Sequence, residues 1–532
     1  TDNAGSTDPD NPTTGGDVSA AAAGVITGIG SLTAKNLDLT VSAQGGTAAG
    51  EDATVNVDAE GLTQKVSPAS ASDSGSVRVT GATRLNVTAT GGNTTGTGSR
   101  IATTTSATSA IGIKNVISEN SSPYNPAAAT MELGTVEGSV TATGGTVNTD
   151  GVSTENFAII TTAMGVMNGV QAEGFGNIDG GSLSLDSLKL NVTGTGAKLT
   201  GSTESSLTQV CGITQNSNDS EEYGHTTLTI SGATNLDVTA TGAEPVGSGI
   251  LTQDDTSANG FTYTTLSGDV NYEGANLGPF TATVTAVGGT VNDTESVIET
   301  GATGIMYNNQ VTAQNLDLTV SATGGTVKGT TDGKANTAAS TVMAYAIMND
   351  TGSTSSLFQL TVPGDVNFKV TATGSKAAEG AAVKTSTVKA YGINLSGSKN
   401  GTDEATLGSV TGTVTLNNGA ATDPDPDEGG SIAAGILVQT SADLTSTGDV
   451  DLTVTANGTE GNNSADALSA VGMAATENSH IQVNGNATIK AAVNPVAGTD
   501  GYDLFAALAL EAAAAGSTIN LGTDGAGNSL NT

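Results

Sequence analysis

Carboxylates dominate the residues of this chain that could do chemistry: 52 Asp and Glu stand against two His, one Cys and 16 Lys or Arg in 532 residues. The cysteine, Cys211, lies in Val210-Cys-Gly-Ile213, with no base nearby in sequence to activate the thiol. The same slot of related phrases holds Ile111, Met164, Ser248, Thr303, Tyr345 and Tyr391, so packing or a surface role is expected for it. His225 and His480 are far apart and, with one Cys, supply no recognisable zinc set. Polysaccharide cleavage would need two or three clustered acids with an Arg or Lys beside them. The pairs Asp254-Asp255 and Glu221-Glu222 are expected in loops and have no adjoining Arg. The densest acidic run holds Asp423, Asp425, Asp427 and Glu428 between prolines and glycines. It could hold Ca²⁺ through carboxylate and carbonyl oxygens or be a solvated linker; it matches neither the helix-loop-helix nor the nonapeptide calcium pattern. No other cofactor is indicated.

Contact chemistry is better represented than catalytic chemistry. Tyr124, Tyr223 and Tyr263 fall in the segments Glu119–Pro126, Ser217–His225 and Asp254–Thr264, read as long loops, and tyrosine is a common interface anchor. Ser or Thr recurs at Ser42, Thr88, Thr141, Thr193, Thr239, Thr285, Ser321, Thr371, Thr415 and Thr455. Such rows resemble the flat faces of ice-binding β-helices, and they also suit any exposed strand.

The elements that must carry these residues are repeats. A small residue, a variable one, Gly or Ala, and an aliphatic recur in order, ending at Val25, Leu62, Ile113, Val166, Ile213, Ile250, Ile305, Ile347, Ile393, Ile436, Met473 and Leu510. Successive copies are between 37 residues (Val25 to Leu62) and 55 residues (Ile250 to Ile305) apart. Between them lies a second phrase such as Leu85-Asn-Val-Thr-Ala-Thr90, whose period of two is that of a strand. Its central slot is Val41, Val87, Val140, Val192, Val238, Val284, Val320, Val370, Val414, Val454 and Ala491, and a Gly usually closes it. A looser strand, such as Val77–Thr80, Thr227–Ser231 or His480–Val483, precedes it. Equivalent slots stack only if the strands pair in parallel. The expected fold is therefore all-β: a right-handed parallel β-helix of about eleven irregular repeats with an aliphatic core. Residues 1–17 form a Pro- and Asp-containing lead and 18–532 one solenoid. The Ser-, Thr-, Gly- and Asn-rich segments after the closing Gly, such as Gly91–Ser106, Gly144–Glu155 and Gly325–Ser340, are expected as exposed loops. Leu504–Ala515 is expected to be a further coil, and Gly516–Leu521 a rung cut short.

The charge of −36 argues against nucleic acid and disfavours direct docking on anionic lipid. No apolar run reaches the ~20 residues of a membrane span. No secretion signal opens the chain, so Thr1 is expected to be a processed or trimmed start.

These repeats, a small-x-Gly-Ile phrase followed by Val-Thr-Ala-Thr-Gly-Gly, resemble passenger domains of bacterial autotransporters and related β-helical surface adhesins from Asp17 onward. The resemblance is architectural and includes no catalytic signature. It implies export, display outside the cell or on the bacterial surface, and adhesion, aggregation or carriage of another domain. The membrane-inserted barrel of that family is not in this sequence, so a secreted passenger fragment is expected. The expected protein is thus not an enzyme but a rod presenting loops to a cell-surface, glycan or matrix ligand, with self-assembly into a filament or sheath as the alternative.

Overall fold

A computed structural model describes residues 18–48, 54–66, 74–94, 106–118, 128–148, 159–171, 181–217, 226–265, 274–331, 334–349, 358–397, 403–419, 430–458, 468–494, 505–514 and 516–522. The described chain is a parallel β-helix with one coil per repeat. One face is a 12-stranded sheet running from Val18–Thr27 through Val55–Val66 and Ser106–Ser118 to Phe505–Ala513. The opposing face has two strand segments per rung, such as Ser74–Val79 followed by Thr83–Thr90. In four rungs, among them Ala128–Thr143 and Ser182–Thr195, these segments fuse into one bent strand. All pairings within the two faces are parallel. The strand Phe505–Ala513 supplies the expected last coil, and Thr518–Leu521 pairs in parallel with His480–Val483 as the short final rung.

The expected central column is observed. Val41, Val87, Val140 and Val192 are in register, and the column continues through Val238, Val284, Val320, Val370, Val414 and Val454 to Ala491. It faces the Gly-aliphatic column, where pairing steps over one residue in each rung, glycine except at Ala346 and Ala509: Ala23 pairs Glu60 and Val25 pairs Leu62, with no partner for Gly24. A Cβ at Gly212 would lie 2.6 Å from the Gly260 carbonyl oxygen and 2.8 Å from Leu236 Cδ1. A residue without a side chain lets two opposed sheets approach here, which is the physical reason for the recurring Gly.

One member of this column was misplaced. Ile213 pairs Phe261, which pairs Ile305, whereas Ile250 pairs Ser202 at the start of its strand. The phrase Ala258-Asn-Gly-Phe261 carries an aromatic where the other copies carry an aliphatic. The Phe261 ring is accommodated edge-on against Phe280, centroids 6.4 Å apart. Consequently Asn259, not Ser248, shares the slot of Cys211.

The core is also less uniformly aliphatic than expected. Thr108, Thr161, Thr208, Thr256 and Thr300 form one buried row, and Gln64, Asn115, Asn168 and Gln215 another. In the second row Asn115 Nδ2 donates to Asn168 Oδ1 at 2.9 Å, and Asn168 Nδ2 donates to Gln215 Oε1 at 2.8 Å. Side-chain amides carry both donor and acceptor, so Asn115, Asn168 and Gln215 link into a chain from rung to rung, whereas Gln64 at its end is buried without a partner.

The segments after the closing glycines begin as structure rather than loop. Thr146–Val147, Lys198–Leu199 and Glu244–Pro245 stack in parallel, as do Thr290–Val291, Thr326–Val327 and Lys376–Ala377. They cover a second small core of Val147, Leu199, Leu251, Val291, Ile298 and Val327.

Candidate functional site

The residues singled out for chemistry do not converge. Asp423, Asp425, Asp427, Glu428, Tyr124, Tyr223, His225 and the Glu221-Glu222 pair lie outside the described residues. Tyr263 is a correction. The segment read as a loop, Asp254–Thr264, lies within the strand Ile250–Thr265, and Tyr263 is only 2% exposed, among the largest fully buried side chains. Its ring is part of the core and is not displayed to a partner. An aromatic in a polar stretch looked like a loop anchor, but the period of two places it inward, level with Gln215 and Tyr307.

Cys211 has the packing role expected of it. It is 4% exposed, burial pushes its thiol pKa up, and Sγ contacts the Ile213 carbonyl and Thr262. Its column lies outside the coil, where residues on either side of the Gly-aliphatic step turn to the same side: Thr63 Oγ1 donates to Glu60 Oε2 at 2.8 Å. Higher up this column Tyr345 and Tyr391 stack with centroids 5.2 Å apart, and burial pushes the Tyr345 hydroxyl up to about 12. His480 is half-buried, its Nδ1 2.8 Å from Thr518 Oγ1.

The pair Asp254-Asp255 is on a strand, not in a loop, and its two members are split by that geometry. Asp254 points inward and is fully buried. It accepts from the amides of Ala243 (2.9 Å) and Gly289 (2.7 Å) and from Thr256 Oγ1 (2.8 Å), fastening the corners of two successive rungs. Burial raises its pKa, and the backbone donors oppose that shift. Asp255 is level with Glu299 on the next rung; burial first, then Glu299 and Asp254, raise it to about 6. A carboxyl raised in the folded state binds its proton more tightly there than in the unfolded chain. Stability therefore increases as pH falls through about 6 toward the ordinary carboxyl value. Glu299→Gln is expected to raise the thermal midpoint at pH 7.5 and to have little effect at pH 4.5, read by calorimetry at the two pH values.

The surface that gathers basic residues is the outward side of the two-segment face in its first four rungs. One row reads Asp38, Arg84, Glu137, Lys189; a second reads Thr33, Arg78, Glu132, Ser184. Lys35 and Asp186 stand at the bend between the segments on the first and fourth rungs. Arg84 Nε meets Glu137 Oε1 at 2.7 Å, and Arg78 Nε meets Glu132 Oε2 at 3.3 Å; all four side chains are at least 44% exposed. Glu137, then Asp38, hold the Arg84 guanidinium protonated above its ordinary value. A depression of about 340 Å³ lies over the first row, with Asn86, Asn191 and Gly138 in its wall, and another of about 240 Å³ over the second. Beside these rows run the stacked Thr88, Thr141, Thr193 and Thr239, half-buried rather than fully exposed. Composition gave no sign of this island, because its charges are spread from residue 35 to residue 189. The strand register alone brings them together.

Among the described residues no helix is long and apolar enough to cross a membrane, and no group of three or more His, Cys, Asp or Glu is placed to hold a metal ion. No known family model matches the chain, and neither does a curated protein or a solved structure.

Proposed function

We infer that this protein is a non-enzymatic β-helical rod of the cell exterior or bacterial surface, making multivalent contacts with a glycan, a matrix or a neighbouring cell. The observation that supports this reading is the repetition of one outward polar pattern on successive rungs. The row Ser42, Thr88, Thr141, Thr193, Thr239, Thr285, Ser321, Thr371, Thr415 and Thr455 presents the same hydroxyl at each step. A fixed spacing of ~4.8 Å between rungs turns individually weak contacts into avidity, since the second and later contacts form at high effective concentration. Full-length chain on beads at increasing surface density should be retained on cells or immobilised glycans more than proportionally to density, and should release no reducing ends from polysaccharides. Retention strictly proportional to density, or release of sugar ends, would count against the reading.

A second reading, self-association, is favoured by a specific observation. The charges of the first four rungs are arranged with opposite signs about their midpoint.

A further inference from the structure

We propose that the outward face of the first four rungs pairs with the same face of a second copy, the two rods running antiparallel. The described charged residues on this side are Lys35, Asp38, Arg78, Arg84, Glu132, Glu137, Asp186 and Lys189. Four are basic and four acidic, a neutral island on a chain of charge −36. Seven are exposed and Glu137 is half-exposed, so they are available.

Their order carries the inference. Along the rod the first row is minus, plus, minus, plus: Asp38, Arg84, Glu137, Lys189. A twofold axis lying in the face, along the strands and between the second and third rungs, sets each rung opposite its counterpart counted from the other end. Arg84 then faces Glu137 of the second copy, and Asp38 faces its Lys189. The second row obeys the same axis, with Arg78 facing Glu132 and Thr33 facing Ser184. So does the bend, with Lys35 facing Asp186. Three rows at different positions along the strand thus share one midpoint, and no like charges meet. The next row along the strand, Thr40, Asn86, Ser139, Asn191, is neutral and can exchange hydrogen bonds across the axis. Parallel pairing about an axis running along the first row would instead set Asp38, Arg84, Glu137 and Lys189 each against its own kind.

Size and long-range repulsion fit. Four rungs at ~4.8 Å by about a dozen residues at ~3.3 Å give roughly 800 Å² per copy, the area of a standard specific interface. Beyond the overlap the remaining rungs of the two copies point in opposite directions, so their acidic surfaces are not opposed. An isologous interface of this kind closes on itself as a dimer. The pairing needs only the chain itself and stands independently of any foreign ligand. Because its contacts are exposed charges, it weakens with salt.

Sedimentation equilibrium of Arg84→Glu chains, Glu137→Arg chains and their equimolar mixture tests this. The native chain should dimerise at low ionic strength, and each variant alone should associate at least about tenfold more weakly. The mixture should recover a heterodimer, since minus, minus, minus, plus is complementary to the reverse of minus, plus, plus, plus. An intrachain ion-pair ladder alone predicts no such recovery. In the same buffer, Thr40→Cys chains mixed with Asn191→Cys chains should form disulfide-linked heterodimers, and neither should cross-link alone. A native chain that stays monomeric at high micromolar concentration and low salt, or variants that dimerise as the native chain does without mixing, would overturn the proposal.

Discussion

Gly212→Val is expected to destabilise the central rungs by about 3 kcal/mol, and Ile213→Val beside it by only about 1 kcal/mol. The added Cβ would lie 2.6 Å from the Gly260 carbonyl oxygen, 2.8 Å from Leu236 Cδ1 and 3.1 Å from Val238 Cγ2. The first neighbour is backbone, and the other two are fully or almost fully buried side chains with no room to retreat. Relief requires this strand to move away from the next rung's strand, which carries Gly260, and from the opposed face, which carries Leu236 and Val238. A solenoid's rungs depend on their neighbours, so protection should be lost first in the rungs around Gly212 and only later toward either end. Hydrogen exchange by mass spectrometry reads this directly. Loss spread evenly over the chain, or no loss, would contradict the packing described.

The second large effect is in the buried amide row. Asn168 accepts from Asn115 and donates to Gln215 and to the Thr227 carbonyl, at 2.9, 2.8 and 3.0 Å. Asn168→Leu keeps the volume nearly unchanged but leaves Gln215 Oε1 without its donor, takes a donor from the Thr227 carbonyl, and leaves Asn115 Nδ2 only its bond to the Ser182 carbonyl. At about 1–3 kcal/mol per buried group that loses its partner, a total loss of roughly 2–4 kcal/mol is expected. Asn168→Gln should cost far less, because glutamine already fills the equivalent slot at Gln64 and Gln215. Denaturant unfolding of the two variants side by side checks this, and equal midpoints would mean that the amide row contributes little.

Much of the fold was legible because a parallel β-helix writes its register into the sequence. Identical slots must stack, so the Val41-to-Ala491 column could be read directly from the recurring Val-Thr-Ala-Thr phrase. The same rule misled where the phrase occurs twice in one repeat. Ser248-Gly-Ile250 imitates the step that Asn259-Gly-Phe261 occupies, and only the position of the next rung decides between them. Tyr263 was lost with that slip: with the strand taken to end at Ile250, where it in fact begins, the residues after Ile250 looked like a loop. The buried polar rows were hidden for another reason. Thr and Asn read as outward residues in a strand pattern, and their pairing with the same residue type one rung away is invisible until the rungs are aligned. The charged island is the extreme case, built from residues such as Asp38 and Lys189 that no local window contains together.

The account rests on one rung per repeat, so distances along an outward row must count rungs and not residues. Spin labels in a Cys211→Ala background, read by pulsed dipolar spectroscopy in high salt, test this. Asn86 and Thr283 are four rungs apart and Asn86 and Thr453 eight, by the pairing of their strands. At ~4.8 Å per rung the two pairs should lie about 19 and 38 Å apart between backbones. A narrow second distance twice the first is the predicted result. Two similar distances, or a broad distribution for either pair, would contradict the β-helix itself.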